Sequence, residues 1–331
     1  MKTFTNVNPR DIRHAMTLVR QARSGGQTAI VAGGGSDVLG MMKDRLVTPD
    51  VLVNLKAIPG LDEVKAQGGG ATVGGLITLA SLAAHPLIRR QYPVLAEAAG
   101  DVATPQIRNV ATLAGNLAQR PWCWYYRNGF KCYKNGGNTC YSFAGENQFH
   151  AIFGGGPSYI VHPSDTAPAL VALDATFRVA GPSGERSVPA SEFFTLPRVN
   201  AERENVLKED EALVSIALPA PSAGTRSAYH KVMDREAWTH AVVSAAVVLD
   251  IDNRVCRRAS IVLGGVAPIP WRVQAAEKLL VGKTITPALA AQAAEAAVAG
   301  ARPLAKNAYK VPLTQTTVRR TIEALAVAAG A

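Results

Sequence analysis

The sequence predicts an α+β protein built in three parts, and three features of the chain predict it. Residues 1–58 alternate extended and helical patterns around a triple glycine. Residues 59–220 mix short β-rich pieces with short helices, and residues 221–331 pass from strands into alanine-rich helix. At 331 residues the chain exceeds one average domain and carries enough apolar residues for more than one core.

The first part reads as a β-α-β-α-β unit. Asn8 is placed to cap a helix whose first turn holds Pro9, and Ile12, Ala15, Met16, Val19 and Ala22 repeat at helical spacing. Thr28 to Ala32 reads as a strand that opens into Gly33-Gly34-Gly35-Ser36-Asp37. A short helix from Val38 to Lys43 and a strand from Val51 to Leu55 follow. Strand, glycine turn and helix in this order suit an anion. Consecutive glycines let successive N–H groups converge on one point, and the helix start adds its positive end. The plain alternative is a turn that needs glycine only for tightness. The stretch lacks the G-K-[ST] ending of a P-loop and does not fit G-x-G-x-x-G.

In the second part, Ala71 to Gly75 and Thr176 to Val179 read as strands, and Leu79 to Ala84 and Tyr92 to Ala99 as helices. A second turn, Ala111-Thr112-Leu113-Ala114-Gly115-Asn116, offers a hydroxyl, a flexible backbone and an amide. Asp165, in His162-Pro163-Ser164-Asp165, either accepts hydrogen bonds from sugar or polyol hydroxyls or caps the helix Ala167 to Leu173. For a single residue capping is the better reading, and the two roles are compatible.

A loop over residues 119–158 interrupts this part. It carries Cys123, Cys132 and Cys140 in the pattern C-x8-C-x7-C, three of only four cysteines. Thiolates gathered in a Gly/Asn-rich loop suit a metal. Structural zinc favours C-x2-4-C pairs, which are absent, whereas iron–sulfur sites accept wider spacing and normally take four cysteines. Three cysteines are a metal-site pattern with a vacancy, and Cys256 reads as an isolated strand thiol rather than the missing ligand.

Beyond a proline-containing stretch, Leu218 to Gly224, the third part offers strands over Ala241 to Leu249 and Ala259 to Val266. Pro287 opens one helix and Val318 to Ala328 forms the last. The balance of 35 Lys+Arg against 25 Asp+Glu gives +10. The basic residues are scattered and aromatics are few, so a nucleic-acid surface is not expected; a solvated basic face or an acidic partner subunit accounts for the charge. No signal core, twin-arginine pair or apolar run long enough to span a membrane is seen. The expectation is a protein without its own export signal, cytoplasmic or carried to the periplasm by a signal-bearing partner.

Taken together, AGGGSDVLGMMK, RNVATLAGNLA, HPSDTAPALVALDA, YHKVMDREAWTHAVVSAA and LGGVAPIPWR resemble, in order and spacing, the FAD-binding (medium) subunit of the molybdenum hydroxylases, the xanthine dehydrogenase and carbon monoxide dehydrogenase family. The resemblance covers essentially the whole chain. It implies a two-part FAD-binding domain of the PCMH/vanillyl-alcohol-oxidase type, over 1–58 and 59–220, followed by a C-terminal antiparallel sheet with helices over 221–331.

In such a subunit FAD binds extended. The resemblance assigns the backbone of Ala32, Gly33, Gly34, Gly35, Ser36 and Asp37 to the pyrophosphate, with Thr112, Gly115 and Asn116 completing the cradle. Asp165 is assigned to the ribityl chain or ribose, Thr104 to the isoalloxazine, and Lys231 to the neighbourhood of the flavin, where a cation stabilises the reduced ring. The plain reading of Lys231 is a surface charge. No acid/base catalytic residue is expected, because the cofactor carries the electron chemistry.

The extra loop resembles the branch typified by periplasmic aldehyde oxidoreductase and 4-hydroxybenzoyl-CoA reductase, in which it holds a [4Fe-4S] cluster. Cys123, Cys132 and Cys140 match three of its ligands. Ser158 stands where the fourth cysteine is expected. That leaves Ser158 Oγ, His150 or water as the fourth ligand, or a loop without a cluster. The implied assembly is a heterotrimeric oxidoreductase with a molybdenum-cofactor large subunit and a [2Fe-2S] small subunit. The alternatives are a stand-alone flavoenzyme of the same fold and a zinc-stabilised, non-catalytic binding module.

Overall fold

The structure is a computed structural model that describes residues 1–327. It is α+β, with three separate sheets. The first is parallel, in the order Thr5–Val7, Val51–Asn54, Ala29–Ala32. The helix Ile12–Ser24 packs Ala15, Met16, Val19 and Ala22 against Ala29 and Val53 of this sheet. Its cap is Asp11, whose carboxylate accepts the His14 N–H at 2.7 Å. Asn8, expected as the cap, lies too far upstream and instead accepts from Asn54 Nδ2 at 3.0 Å, tying the chain entry to the neighbouring strand.

The second sheet is antiparallel, in the order Val64–Gln67, Gly70–Gly74, Ala212–Leu218, Thr176–Gly181, Gly184–Pro189. Helices Leu79–Ala84, Pro93–Gly100 and Thr166–Ala172 share its core, with Phe177 and Phe193 fully buried among them. The third sheet runs Trp271–Arg272, Val255–Gly264, Val243–Asp252, Thr225–Val232. Both of its faces are covered, and the two-residue period of a strand sorts the side chains. Val243, Ala245, Val247 and Leu249 meet the helices Gln274–Leu280, Pro287–Val298 and Lys310–Val327. Ala246 and Val248 point the other way, into the core shared with the second sheet. Each fully buried Val or Leu contributes about 1.5–3 kcal/mol, so this doubly covered sheet joins the C-terminal part firmly to the rest.

The alanine-rich helices therefore pack internally. The last extends through Val327; Ala328, where the sequence ends it, lies outside the described residues. Cys256 is a buried strand thiol, as expected, and donates to Arg258 O at 3.2 Å. No helix among the described residues is long and apolar enough to cross a membrane.

Candidate functional site

Two turns far apart in sequence press against each other. A Cβ on Gly34 would fall 1.9 Å from Val110 O, and one on Gly33 would fall 2.6 Å from Thr112 Oγ1. Gly35 has φ +76°, the left-handed region that other residues enter at a cost. The N–H groups of Gly33 through Asp37 donate to no acceptor among the described residues. They border a cavity of about 450 Å³ that Ala32, Thr112 and Gly115 also line. A row of free donors on a cradle with no room for side chains suits a phosphate-bearing ligand.

Thr112 Oγ1 accepts from Gly115 N–H at 3.3 Å, capping the helix Leu113–Ala118. Asn116 Oδ1 accepts from Ser164 Oγ at 2.5 Å and Thr166 Oγ1 at 2.7 Å, which locks the second turn to the His162–Asp165 segment. A second cavity of about 320 Å³ continues from the first. Ser36, Asp37, Gly115 and Gln119 line both, and Asn116 and Asp165 border the second. A third, of about 150 Å³, shares Trp122, Pro163, Asp165, Thr239 and His240 with the second and reaches Cys123 and His150.

Asp165 does not cap its helix. Ser164 Oγ takes the Ala167 N–H at 3.1 Å instead. The Asp165 carboxylate accepts from Tyr229 Oη at 2.7 Å and from Lys231 Nζ at 2.8 Å, all three side chains being buried. Burial pushes the Asp165 pKa up, and Lys231 and Tyr229 pull against that rise. Lys231 also donates to Asp101 O at 2.7 Å and Thr239 O at 3.2 Å. Three acceptors surround this one buried amine, so it is no surface charge. It sits behind Asp165 rather than on a cavity wall. Thr104 is also off the walls; its hydroxyl caps the helix Pro105–Arg108 by accepting from Ile107 N–H at 3.3 Å.

The cysteine loop is bonded directly to the glycine turn. Asp37 accepts from Arg120 N–H and from Arg127 Nη2, each at 2.8 Å. Arg127 Cζ lies over the Trp122 ring, 4.2 Å from its centre. Behind it, Glu204 is buried between Lys134 at 2.8 Å and Arg120 at 2.9 Å. Cys123 Sγ is 3.3 Å from His150 Nε2, and Cys140 Sγ accepts the Tyr159 N–H at 3.4 Å. Burial raises the Cys123 pKa to about 11, with Cys140 and Cys132 adding to the rise. It also lowers that of His150 to about 4. At neutral pH Cys123 is therefore a thiol and His150 a neutral ring.

Ser158 is buried immediately before Tyr159. The three thiols are free and electrostatically within reach of one another. Among the described residues, however, no three His, Cys, Asp or Glu side chains form a ligand group. The donor chemistry suits a cluster; the arrangement is not a closed ligand set.

Sequence reasoning missed Trp122, Arg235, Trp238, Thr239 and His240 on the second cavity and Arg120, Tyr126 and Lys134 on the first. It also missed the partners of Asp165. A signal was present: Ser227, Tyr229 and Lys231 alternate along Thr225–Val232 on the buried face, a pattern that flags a lysine turned inward.

Two families match the chain. One, described as the FAD binding domain in molybdopterin dehydrogenase, covers residues 2–221, and the CO dehydrogenase flavoprotein C-terminal domain covers 228–325. The aldehyde oxidoreductase FAD-binding subunit PaoB of Escherichia coli is 35% identical over 86% of this chain and 87% of its own. The carbon monoxide dehydrogenase medium chain of Hydrogenophaga pseudoflava is 29% identical over 96% and 94%. The solved structure of carbon monoxide dehydrogenase from Hydrogenophaga pseudoflava superposes with a TM-score of 0.76 at 28% identity, over 97% of this chain and 96% of that one.

Proposed function

The chain belongs to the FAD-binding medium subunits of the molybdenum hydroxylases, and on that premise we propose that it carries electrons through an extended FAD laid along the connected cavities. The observation that carries the reading is the row of unpaired N–H groups from Gly33 to Asp37 opening onto the larger cavity. These groups, with Ala32, Thr112 and Gly115, hold the diphosphate. Asn116 fixes the geometry of the second turn, and Asp165 offers its carboxylate to the ribityl chain or ribose. Lys231 acts through Asp165, and Thr104 acts as a helix cap.

FAD supplies acceptance of electrons and their onward release. The protein supplies the anion cradle, the orientation of the flavin and the electrostatics around it. In the finer reading the electrons come from a molybdenum-cofactor large subunit, which oxidises an aldehyde or heteroaromatic substrate, through a [2Fe-2S] small subunit. The large and small partners are supported by likeness to the carbon monoxide dehydrogenase medium chain, and the aldehyde class by likeness to PaoB.

The finer reading also places a [4Fe-4S] cluster on Cys123, Cys132 and Cys140. The gathering of the three cysteines in one loop and the N–H bond to Cys140 Sγ support it. Its fourth donor is Ser158, His150 or water.

Ser36→Asp tests the flavin site. Ser36 is exposed and lines both larger cavities. A carboxylate there repels a diphosphate without disturbing a core. FAD per chain in the co-expressed complex should fall at least about tenfold while the unfolding midpoint stays in place. Full flavin content would overturn the diphosphate assignment. Iron and sulfide per chain, measured on the same preparation, test the cluster.

A further inference from the structure

The carboxylate of Asp165 lies on the wall common to the second and third cavities. It is held from behind by Tyr229 and Lys231 and has acceptor capacity left over. We propose that Asp165 is the redox-linked proton site of this subunit: it takes a proton from solvent when the bound FAD is reduced and returns it on reoxidation. The inference rests on the FAD reading above.

The step balances. Two electrons arrive singly from a one-electron donor, an iron–sulfur centre of the partner. The isoalloxazine takes both with one proton and gains one negative charge. Asp165 takes a second proton from water and passes from carboxylate to carboxylic acid, so the net charge of the enclosure is unchanged. Lys231 is held by three acceptors, Asp101 O, Asp165 Oδ2 and Thr239 O, which fix it behind the carboxylate.

The surrounding groups direct the proton to Asp165. Tyr229, on the same strand as Lys231, is pushed well above the ordinary phenol range by burial and then by Asp165, so it remains a donor. His240, which borders both cavities, is pushed down to about 4 by burial, and the Lys231 and Arg127 charges oppose its protonation further. His162 is pushed to about 3, also by burial. Asp101, at the end of Pro93–Gly100, is raised by its own burial and faces Lys231 and Arg108. Asp37 and Asp234 also line these cavities, but Asp37 is paired with Arg127 and Asp234 is exposed, as is Arg235; Asp165 is the buried carboxylate on the walls, and its burial favours the acid. A negative charge on a flavin bound in these cavities would raise the proton affinity of the Asp165 carboxylate.

The test uses the co-expressed complex with its partner subunits. The complex is reduced electrochemically through bipyridinium mediators in weakly buffered solution, and proton uptake per FAD is read from pH 6 to 9 with an indicator dye. The wild type should take up one proton more than Asp165→Asn over part of this range; equal uptake at full FAD content overturns the proposal. Tyr229→Phe keeps the carboxylate and removes the donor to Oδ1. It should retain FAD and move the midpoint of the extra uptake to higher pH. That variant decides the matter if Asp165→Asn loses its flavin, and an unmoved midpoint overturns the proposal. A wild-type complex without FAD overturns the flavin reading itself, which separates the two failures.

Discussion

Lys310 gives a stability prediction whose sign and size come from the structure. It is fully buried at the start of Lys310–Val327, with no carboxylate partner among the described residues. Its amine donates to Phe149 O at 2.9 Å and Gly265 O at 2.7 Å. Burial pushes its pKa from 10.5 down to about 7. Between those values the unfolded chain holds a proton that the folded chain has released, so stability rises with pH through that window. Below about pH 7 the cost of the buried ammonium is fully present. A gap of about 3.5, at about 1.36 kcal/mol per pH unit, amounts to about 5 kcal/mol. This is an upper bound, because the two carbonyls favour the charged form. Lys310→Met abolishes the titration. Urea unfolding followed by tryptophan fluorescence should show the wild type gaining about 2–3 kcal/mol more than the variant from pH 7 to pH 9. Loss of the two hydrogen bonds displaces the variant's whole curve by about 1–3 kcal/mol for each carbonyl left unpaired, and leaves its slope alone. Parallel curves for the two proteins would refute the reasoning.

Four further outcomes are expected. Gly34→Ala drives a Cβ to 1.9 Å from Val110 O and should cost both FAD and stability, so it cannot isolate cofactor binding. Gly40→Ala, a helical position with open space around its Cβ, should instead raise stability by about 0.5–1 kcal/mol in the same urea assay. Glu204→Gln leaves Lys134 and Arg120 facing each other without their shared carboxylate and should cost about 3–5 kcal/mol; a loss under about 1 kcal/mol would contradict the buried triad. Asp37→Asn weakens the bonds from Arg120 and Arg127 and should cost about 1.5–3 kcal/mol. It should also lower FAD per chain after gel filtration, and unchanged retention would show the loop to be uncoupled from the cradle.

What could be read from the sequence was what local chemistry dictates. The glycine turn, the second turn around Thr112 and the apolar periods of the strands carry their meaning within about ten residues. Asn8 misled because Asp11 lies closer to the first helical residue, and a cap is decided by single-residue register. Asp165 misled because its partners, Tyr229 and Lys231, stand 64 and 66 residues away, and their pairing exists only once the third sheet packs on the second part. Asp37 reaches Arg120 and Arg127 over 83 and 90 residues, so the union of loop and cradle had no local signature. The alternation of Ser227, Tyr229 and Lys231 could have exposed Lys231. It went unread because no strand was placed there.

The cysteine loop is held chiefly by groups other than its thiols. Beside the bond from Tyr159 N–H to Cys140 Sγ at 3.4 Å, its anchors are groups other than thiols. At its start, Arg120 and Arg127 bind Asp37, and Tyr126 packs beside Met41. In its middle, Tyr125 stacks on Tyr141 while Phe130 meets both edge-on, and Tyr125 Oη receives the Glu146 N–H at 2.6 Å. At its end the C-terminal part takes over. Asn147 accepts from Lys306 N–H, Asn307 donates to His150 O, Tyr309 to Gln148 O, and Lys310 to Phe149 O. These bonds fix both flanks of the loop whatever the state of Cys123, Cys132 and Cys140. The flavin cradle is bonded to the arginine end of the loop, while Cys140 and Ser158 lie toward the helical end. The bonds between Asp37 and the loop run through Arg120 and Arg127 and not through Cys123, Cys132, Cys140 or Ser158, so the face the loop turns to the glycine turn is set independently of those side chains.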